Sequence, residues 1–507
     1  MPRPVKDIDF AAKAERDRMK HLKKLTLLHS NDLHGDFLVE KVDDKLVGGV
    51  SMLSGYVNKV RREEENVIYA IAGDMFQGSL IDSEFRGVST IEIMNLLAPD
   101  VVTIGNHEVD YGLAHLLFLE KCANFPIINA NMYLKHNGRR LFRSHRILET
   151  GGMKVLFIGI LTEEVLQKTK LEKLIGTLVN IREAAAEVGR ICDAYRTEDI
   201  DFTVLLTHIG IEADQQLAAI LDPRWGVDLI IGGHSHTLLE KPVEVNGIPI
   251  VQAASGTDQI GRFDIMVDTD LNSIDSYTWQ LIPITPEYCP EDEVLKNIIG
   301  KYKHVTETKY NRILTRFPER YAHPVRNRET PIGKIFADAF KDSLGLDIML
   351  HASGSLRSQF LGPVMTLKDL QEMEPFDEEV YRYMVTGRQF RRMMEYMLRD
   401  EAFDPNAHTE FYQFSEGLRV VYNKSQKKVT SLTMHGREIG DEETLRVGMH
   451  QFHFKNLQTG LGISESEITR NGMPKVVATR SLGLLEEYFS SHPHLTAPEE
   501  QRLVIEE

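Results

Sequence analysis

Five times in the first half of the chain, a short apolar run rich in β-branched residues breaks off into a loop that opens on a metal-binding side chain. The runs are Leu25–Leu28 ahead of Asn31-Asp32-Leu33-His34, Val67–Ala72 ahead of Gly73-Asp74, Val101–Ile104 ahead of Gly105-Asn106-His107-Glu108, Phe202–Thr207 ahead of His208, and Val227–Ile231 ahead of Gly232-Gly233-His234-Ser235-His236. Runs of this composition read as strands buried on both faces, a condition met in parallel sheets covered by helices. Helical spacing lies between them, in Met52, Leu53, Tyr56, Val57 and Val60 and again in Ile181, Ala184, Val188, Ile191 and Tyr195. The expectation is an α/β layered fold. Ligands in open α/β sheets gather beyond the carboxyl ends of strands, so the five loops should converge on one site. His29 sits within the first strand and reads as structural.

A chain of 507 residues exceeds what one hydrophobic core serves, so two domains are expected. With 42% hydrophobic and 26% charged residues it belongs among globular proteins rather than disordered ones. The net charge of -16 opposes attraction to nucleic acid or an anionic membrane, so neither is expected as a partner. A small anionic substrate would need local positive charge from metals or arginines. The stretch Met1–Lys24 has mixed charges and no signal-like apolar core, and no run reaches membrane-spanning length. Cys122, Cys192 and Cys289 are odd in number and far apart, which fits reduced thiols and a cytoplasmic location. No pattern in the chain speaks to oligomeric state.

Strand and helix alternate to about Val267, Asp268–Ser273 reads as a turn, and Tyr277–Ile284 reads as a closing strand. Pro283, Pro286 and Pro290 follow, and then the charged stretch Glu291–Asn311 with Val294, Ile298, Tyr302 and Val305 on one stripe. The expected organisation is an N-terminal extension over 1–23, a helix or a disordered tail, then a first domain over 24–288, a linker helix over 289–312 and a second, α+β domain over 313–507. That second domain should hold a helix bearing Ile335, Phe336, Ala339, Phe340 and Leu344, and strands over Gly417–Tyr422 and Lys428–Met434.

Asp, His and Asn are ligands for borderline and hard divalent ions. Asp32, His34, Asp74, Asn106, His208, His234 and His236 are too many for one ion. They suit two ions bridged by a carboxylate at about 3.5–4 Å. Asp74 is the expected bridge, since Gly73 before it permits close backbone approach. His107-Glu108 lacks the second His of a zincin helix, and a Walker loop, a dinucleotide glycine pattern and a serine nucleophile elbow are all missing. Hydrolysis by metal-bound water is the chemistry left.

In order and spacing, Asp32-x-His34, Gly73-Asp74, Gly105-Asn106-His107-Glu108 with Asp110, His208 and Gly233-His234-Ser235-His236 resemble the motifs of the calcineurin-like metallophosphoesterases, in particular the 5'-nucleotidase and UDP-sugar hydrolase branch. The resemblance continues in Arg328-Glu329-Thr330-Pro331-Ile332-Gly333 and Gly354-Ser355-Leu356-Arg357, and covers about residues 24–500. It implies an N-terminal four-layer α/β/β/α metallophosphoesterase sandwich, the catalytic domain, followed by a 5'-nucleotidase-type substrate-binding domain. It also implies two divalent metal ions (Zn²⁺, Mn²⁺, Fe or Co²⁺), one held by Asp32, His34, Asp74 and His236 and the other by Asp74, Asn106, His208 and His234. In that family pattern His107 is a non-ligand that contacts the phosphoryl group, oriented by Asp110. Arg328 and Arg357 match the substrate arginines, Phe376 matches one base-stacking aromatic, and Phe452 or Phe454 would supply the other.

Two departures separate the chain from that pattern. Ala352-Ser353-Gly354-Ser355-Leu356-Arg357 replaces Asn-Gly-Gly-Gly-Ile-Arg, and Met449-His450-Gln451-Phe452-His453-Phe454-Lys455-Asn456 replaces a Gly-Gly-Asp-Gly turn with an aromatic. Phe452 and Phe454 could instead both pack in the core, leaving His450 and His453 exposed between them. The function expected is a 5'-nucleotidase, with UDP-sugar hydrolase or 2',3'-cyclic phosphodiesterase activity as extensions. The alternatives are the same chemistry on a non-nucleotide phosphoester, or a metal-retaining binding protein without turnover.

Overall fold

The computed structural model describes residues 21–134, 136–162, 180–404 and 409–507. Most of the expected N-terminal extension lies outside them, and residues 22 and 23 already belong to the first strand, Leu22–Ser30. The chain divides into two compact units, Met1–Thr306 and Glu307–Glu507.

The first unit holds two six-stranded sheets. One runs Ser273–Pro283, Gln259–Asp268, Leu22–Ser30, Val67–Ala72, Val101–Thr103, Ile127–Ile128. Its three-strand antiparallel flank gives way to parallel pairing from Leu22–Ser30 onward. The other runs Val243–Val245, Ile248–Val251, Leu229–Ile231, Phe202–His208, Met153–Leu161, His145–Thr150, with a parallel centre and antiparallel edges.

Side chains alternate across each strand, and both faces find apolar cover. Ile68, Ala70 and Ala72 join Phe202, Val204 and Leu206 in a core between the sheets, whereas Tyr69 and Ile71 pack outward with Met52, Leu53 and Val57 of the helix Val50–Glu63. On the far face of the second sheet, Leu205 and Ile230 pack with Ala184 and Val188 of the helix Ile181–Ala194. These layers make an α/β/β/α sandwich. The uninterrupted apolar runs are what such double burial demands.

The helix Glu293–Tyr310 contains the boundary between the units. Its buried stripe is Leu295, Ile299 and Thr306 with Tyr302 packed beside it, and Val294 and Val305 are exposed, so the stripe expected from the sequence is out of phase. Apolar neighbours at Val294/Leu295 and Ile298/Ile299 satisfy two helical phases equally, and packing selects one. No described helix is long and apolar enough to cross a membrane.

The second unit is built on a mixed five-stranded sheet, Tyr412–Phe414, Ile348–Ala352, Thr444–His450, Val380–Thr386, Lys475–Ala478, with a four-stranded sheet that includes Leu418–Asn423 and Lys428–Met434. The helix Pro331–Leu344 starts on Thr330, whose side chain caps the Gly333 amide, and it buries Ile335, Phe336, Ala339 and Phe340. Both the α+β character and this helix match the expectation.

Candidate metal centre

The parallel strands of both sheets discharge their loops at one end. His208, the last residue of its strand, has Nδ1 2.8 Å from the Ala72 carbonyl oxygen, which joins strand ends of the two sheets. Gly73 follows Ala72 with φ 81°, and a Cβ there would stand 2.5 Å from His208 Nδ1. A Cβ on Gly105 would collide with the Asp74 carboxylate. Glycine at these two positions is what lets the loops close on each other.

Asp32, His34, Asp74, His234 and His236 all have left-handed backbones, with φ of 51°, 49°, 53°, 79° and 51°. Non-glycine residues held there cost of order 1–3 kcal/mol each and cluster at functional sites. Five of the seven residues singled out as ligands are held this way. Asp32 and Asp74 are buried, as is His208.

Their donor atoms converge. Asp74 Oδ2 lies 3.8 Å from His34 Nε2 and 3.1 Å from His208 Nε2. Asp32 Oδ1 lies 3.4 Å from His236 Nε2 and 3.9 Å from His34 Nε2, and those two ring nitrogens are 3.0 Å apart. Asn106 Oδ1 stands 3.2 Å from His208 Nε2 and 2.7 Å from His234 Nδ1. The structure therefore brings all seven residues together. The donor set is mixed nitrogen and oxygen with two carboxylates, and it suits divalent cations. Burial alone would lower the His208 pKa, but the Asp74 carboxylate reverses this and raises it to about 9. Against the upward push of burial, the same pairing holds the Asp74 carboxyl below the usual carboxylate range.

A ring of groups that sequence reasoning gave no role supports the donors. Glu108 is buried, and its carboxylate accepts from the amides of Asp74 at 3.1 Å, Met75 at 2.6 Å and Gly105 at 2.5 Å. Asn31 donates to Asp32 Oδ2 at 2.7 Å and accepts from the Ala253 amide. Asp214 accepts from Thr207 Oγ1 at 2.6 Å and from Gln252 Nε2, and Gln252 accepts from Ser235 Oγ beside His234. Adjacency to His107 and Asp32 was the available signal for Glu108 and Asn31. Asp214 and Gln252 had none.

His107 donates its amide to Asp74 Oδ1 at 2.9 Å and sets Nδ1 2.6 Å from Asp110 Oδ2. The Asp110 hydrogen bond raises the His107 pKa against the opposing effect of burial. Its ring also lies near His34 and Asp74, close enough for the three to share a cation.

In the second unit, the Arg357 guanidinium lies over the Phe376 ring at 5.7 Å, and Phe376 is 40% exposed. Arg328 lines a surface cleft with Glu329, Lys334 and Glu500. Phe452 is 57% exposed, whereas Phe454 is buried and stacked on Tyr381 at 4.8 Å. Phe454 is thus a core residue and not a base-stacking aromatic. The two side chains sit two positions apart on the short helix Gln451–Lys455, which sends them to different faces. His450 and His453 are buried, contrary to the exposure considered for them, because His450 ends a central strand and His453 packs on Tyr412.

Residues 25–238 match the family model for calcineurin-like phosphoesterases, and residues 301–459 match that for the 5'-nucleotidase C-terminal domain. Protein UshA of Escherichia coli is 26% identical over 484 residues, covering 85% of this chain and 85% of that protein. The 5'-nucleotidase of Mus musculus is 28% identical over 350 residues, or 62% of this chain, which spans only 59% of the mouse protein. The solved 5'-nucleotidase precursor from Thermus thermophilus aligns with a TM-score of 0.58 at 22% identity, covering 96% of this chain and 99% of that one, a likeness of fold.

Proposed function

The chain belongs to the family that joins a calcineurin-like phosphoesterase domain to a 5'-nucleotidase C-terminal domain, it is a metal-dependent phosphoric ester hydrolase, and from this we propose that it acts on nucleotides with two divalent ions at the Asp74 centre. The carrying observation is the Asp74 oxygen set between His34 and His208. This supports one ion on Asp32, His34, Asp74 and His236 and a second on Asp74, Asn106, His208 and His234. Zn²⁺, Mn²⁺, Fe and Co²⁺ all accept such shells. When bound, a pair of such ions supplies positive charge to phosphoryl oxygens and a nucleophile from water at neutral pH.

The chain's own residues do the rest. His107, anchored through Nδ1 to Asp110, turns Nε2 toward a phosphoryl oxygen and adds charge that the ions leave unmatched. The leaving group takes its proton from His107 or from water. Arg328 and Arg357 pair with the anionic substrate, on a protein whose net charge would otherwise repel it. Phe376 and Phe452, both exposed, stack on the base. A reducing, cytoplasmic location is part of the reading, supported by Cys122, Cys192 and Cys289 standing as free thiols.

A second reading, a non-nucleotide phosphoester, is favoured by Ala352, which is buried and has no side-chain amide to offer a substrate. One panel separates the readings: AMP, UMP, UDP-glucose, a 2',3'-cyclic nucleotide and an aryl phosphodiester, with aryl phosphate as reference and metal content measured on the same sample. Tighter binding and faster turnover of AMP than of aryl phosphate carry the nucleotide reading. Equal rates without tighter AMP binding carry the second, and no phosphate release with Mn²⁺ or Co²⁺ present leaves a binding protein.

A further inference from the structure

Beneath the surface of the second unit that carries Arg357, Phe376 and Phe452 lies a cluster of buried polar groups that no part of the hydrolytic chemistry uses. His351 and Glu374 are fully buried and His450 is 1% exposed. His351 Nε2 stands 3.1 Å from Glu374 Oε2, and the rings of His351 and His450 meet edge to face at 5.3 Å. Phe336 and Phe340 stack on His351, and Phe340 abuts His450. Neither ring nitrogen of His351, neither carboxyl oxygen of Glu374, nor Nε2 of His450 has a well-aligned hydrogen-bond partner. The great majority of buried polar groups in native proteins are hydrogen-bonded, so five unpartnered atoms gathered in one apolar pocket call for an explanation.

Each member stands at the root of a segment that carries one of the residues proposed above to meet substrate. His351 is the penultimate residue of the strand Ile348–Ala352 that leads into Ser353–Ser355 and Arg357, Glu374 lies two residues before Phe376, and His450 two residues before Phe452. The segments are also tied to one another. The Arg357 amide donates to the Met373 carbonyl at 2.8 Å, the Phe452 amide donates to the Glu378 carboxylate at 2.8 Å, and Arg357 covers the Phe376 ring. The cluster is no second metal centre, because among the described residues the donor groups close enough to share a cation all lie in the first unit.

A lone carboxylate among phenylalanine rings would lose its hydration with nothing to replace it, and it takes a proton instead. Burial raises the Glu374 pKa to about 8 and lowers that of His351 to about 3. A neutral acid beside a neutral imidazole is the compatible pair, and across 3.1 Å a small rotation of the Glu374 carboxyl would align its O–H on His351 Nε2. We propose that His351, Glu374 and His450 form a proton-sharing clamp that fixes the three segments carrying Arg357, Phe376 and Phe452 in one arrangement. What those segments bind rests on the nucleotide reading. All three are positioning residues, since none faces the surface.

The full-length chain tests this with Glu374→Leu and Glu374→Gln. Leu fills the pocket but leaves the buried His351 Nε2 without its donor, so the melting temperature should fall modestly while the chain still folds. In Glu374→Leu, amide hydrogen exchange around Arg357, Phe376 and Phe452 should quicken together by about tenfold. KM for AMP should rise about tenfold with kcat within about threefold. Gln, the isostere of the neutral acid, should restore all three segments and KM. Unchanged exchange in Glu374→Leu, segments that respond singly, or a Gln variant that behaves like Leu overturns the clamp. If Leu fails to fold, His351→Phe, which extends the stack of Phe336 and Phe340, carries the same expectations. A wild-type protein with no preference for AMP over aryl phosphate sinks the nucleotide reading, and exchange then decides the clamp by itself.

Discussion

His107 Nδ1 lies 2.6 Å from a carboxylate oxygen of Asp110, and that bond decides which nitrogen of the ring faces outward. The partnered nitrogen is committed to orientation, so Nε2 is left to donate. His107→Ala should lower kcat on AMP by about 10²–10³, the cost of losing one donor aimed at developing charge, with metal content unchanged. A parallel fall in bound metal would recast His107 as a ligand alongside His34 and Asp74. Asp110 raises the His107 pKa, so Asp110→Asn lets the proton leave at lower pH. The alkaline limb of kcat/KM should move toward acid, and a limb that stays in place would detach Asp110 from this role.

Asp74 is the carboxylate nearest both donor groups, so its loss should cost more than that of any single histidine. Asp74→Asn keeps the shape but removes the charge, and turnover should drop on the order of a thousandfold, about 4 kcal/mol of transition-state stabilisation. Metal binding should also hold the five left-handed residues in place. For wild type, chelation with EDTA should lower the melting temperature, since an ion at a hundred times its Kd stabilises by about 2.7 kcal/mol. The Asn variant should be nearly insensitive to EDTA. An equal response in both proteins would remove Asp74 from the shell.

Glu108 accepts from three buried amides of two loops and has no path to substrate. Glu108→Ala leaves those donors unsatisfied, at about 1–3 kcal/mol for each. Thermal unfolding should show a loss of several kcal/mol, with weaker metal binding because the Asp74 loop is no longer pinned. A stable variant with wild-type metal content would mean that water replaces the carboxylate.

What the chain disclosed and what it withheld divide along a physical line. The strands around His208 and Asp74 were legible because burial on both faces writes continuous apolar runs, and the donors were legible because they stand where such runs stop. The helix Glu293–Tyr310 was legible as a helix but not in its buried stripe, since adjacent apolar pairs fit two phases. Glu108, Asp214 and Gln252 escaped notice because their importance lies in partners that only the fold brings near. Gln252, for example, reaches Asp214 across 38 positions. The residues around Phe452 were ambiguous for a related reason. Exposure of one aromatic and burial of another, two positions apart, is set by the direction in which a short helix leaves its strand.

That ambiguity gives a paired test. Phe452→Ala should raise KM for AMP by about tenfold, in line with about 1–3 kcal/mol for stacking on one base, and leave the melting temperature near wild type. Phe454→Ala removes a ring buried against Tyr381 and should cost about 3–5 kcal/mol of stability, with KM for AMP little changed in the folded fraction. Exchange of the two phenotypes would reverse the assignment of the residues.

Glu374 links stability to pH with a definite sign. Its pKa is about 8 in the folded chain and close to 4.5 when exposed, so the folded state holds a proton that the unfolded state has released over that interval. The contribution of Glu374 to stability is fully present below about pH 4.5 and is lost as pH rises through about 8. Gln at this position carries no titrating proton. Glu374→Gln should therefore melt close to wild type near pH 5 and at progressively higher temperature than wild type toward pH 8.5. The difference grows by at most about 1.4 kcal/mol per pH unit for one proton. His351 titrates in the opposite sense, since burial lowers its pKa to about 3, but it is common to both proteins and cancels from the comparison. A difference between wild type and Gln that is flat from pH 5 to 8.5 would show that Glu374 is ionised in the folded state, and the clamp would lose its donor.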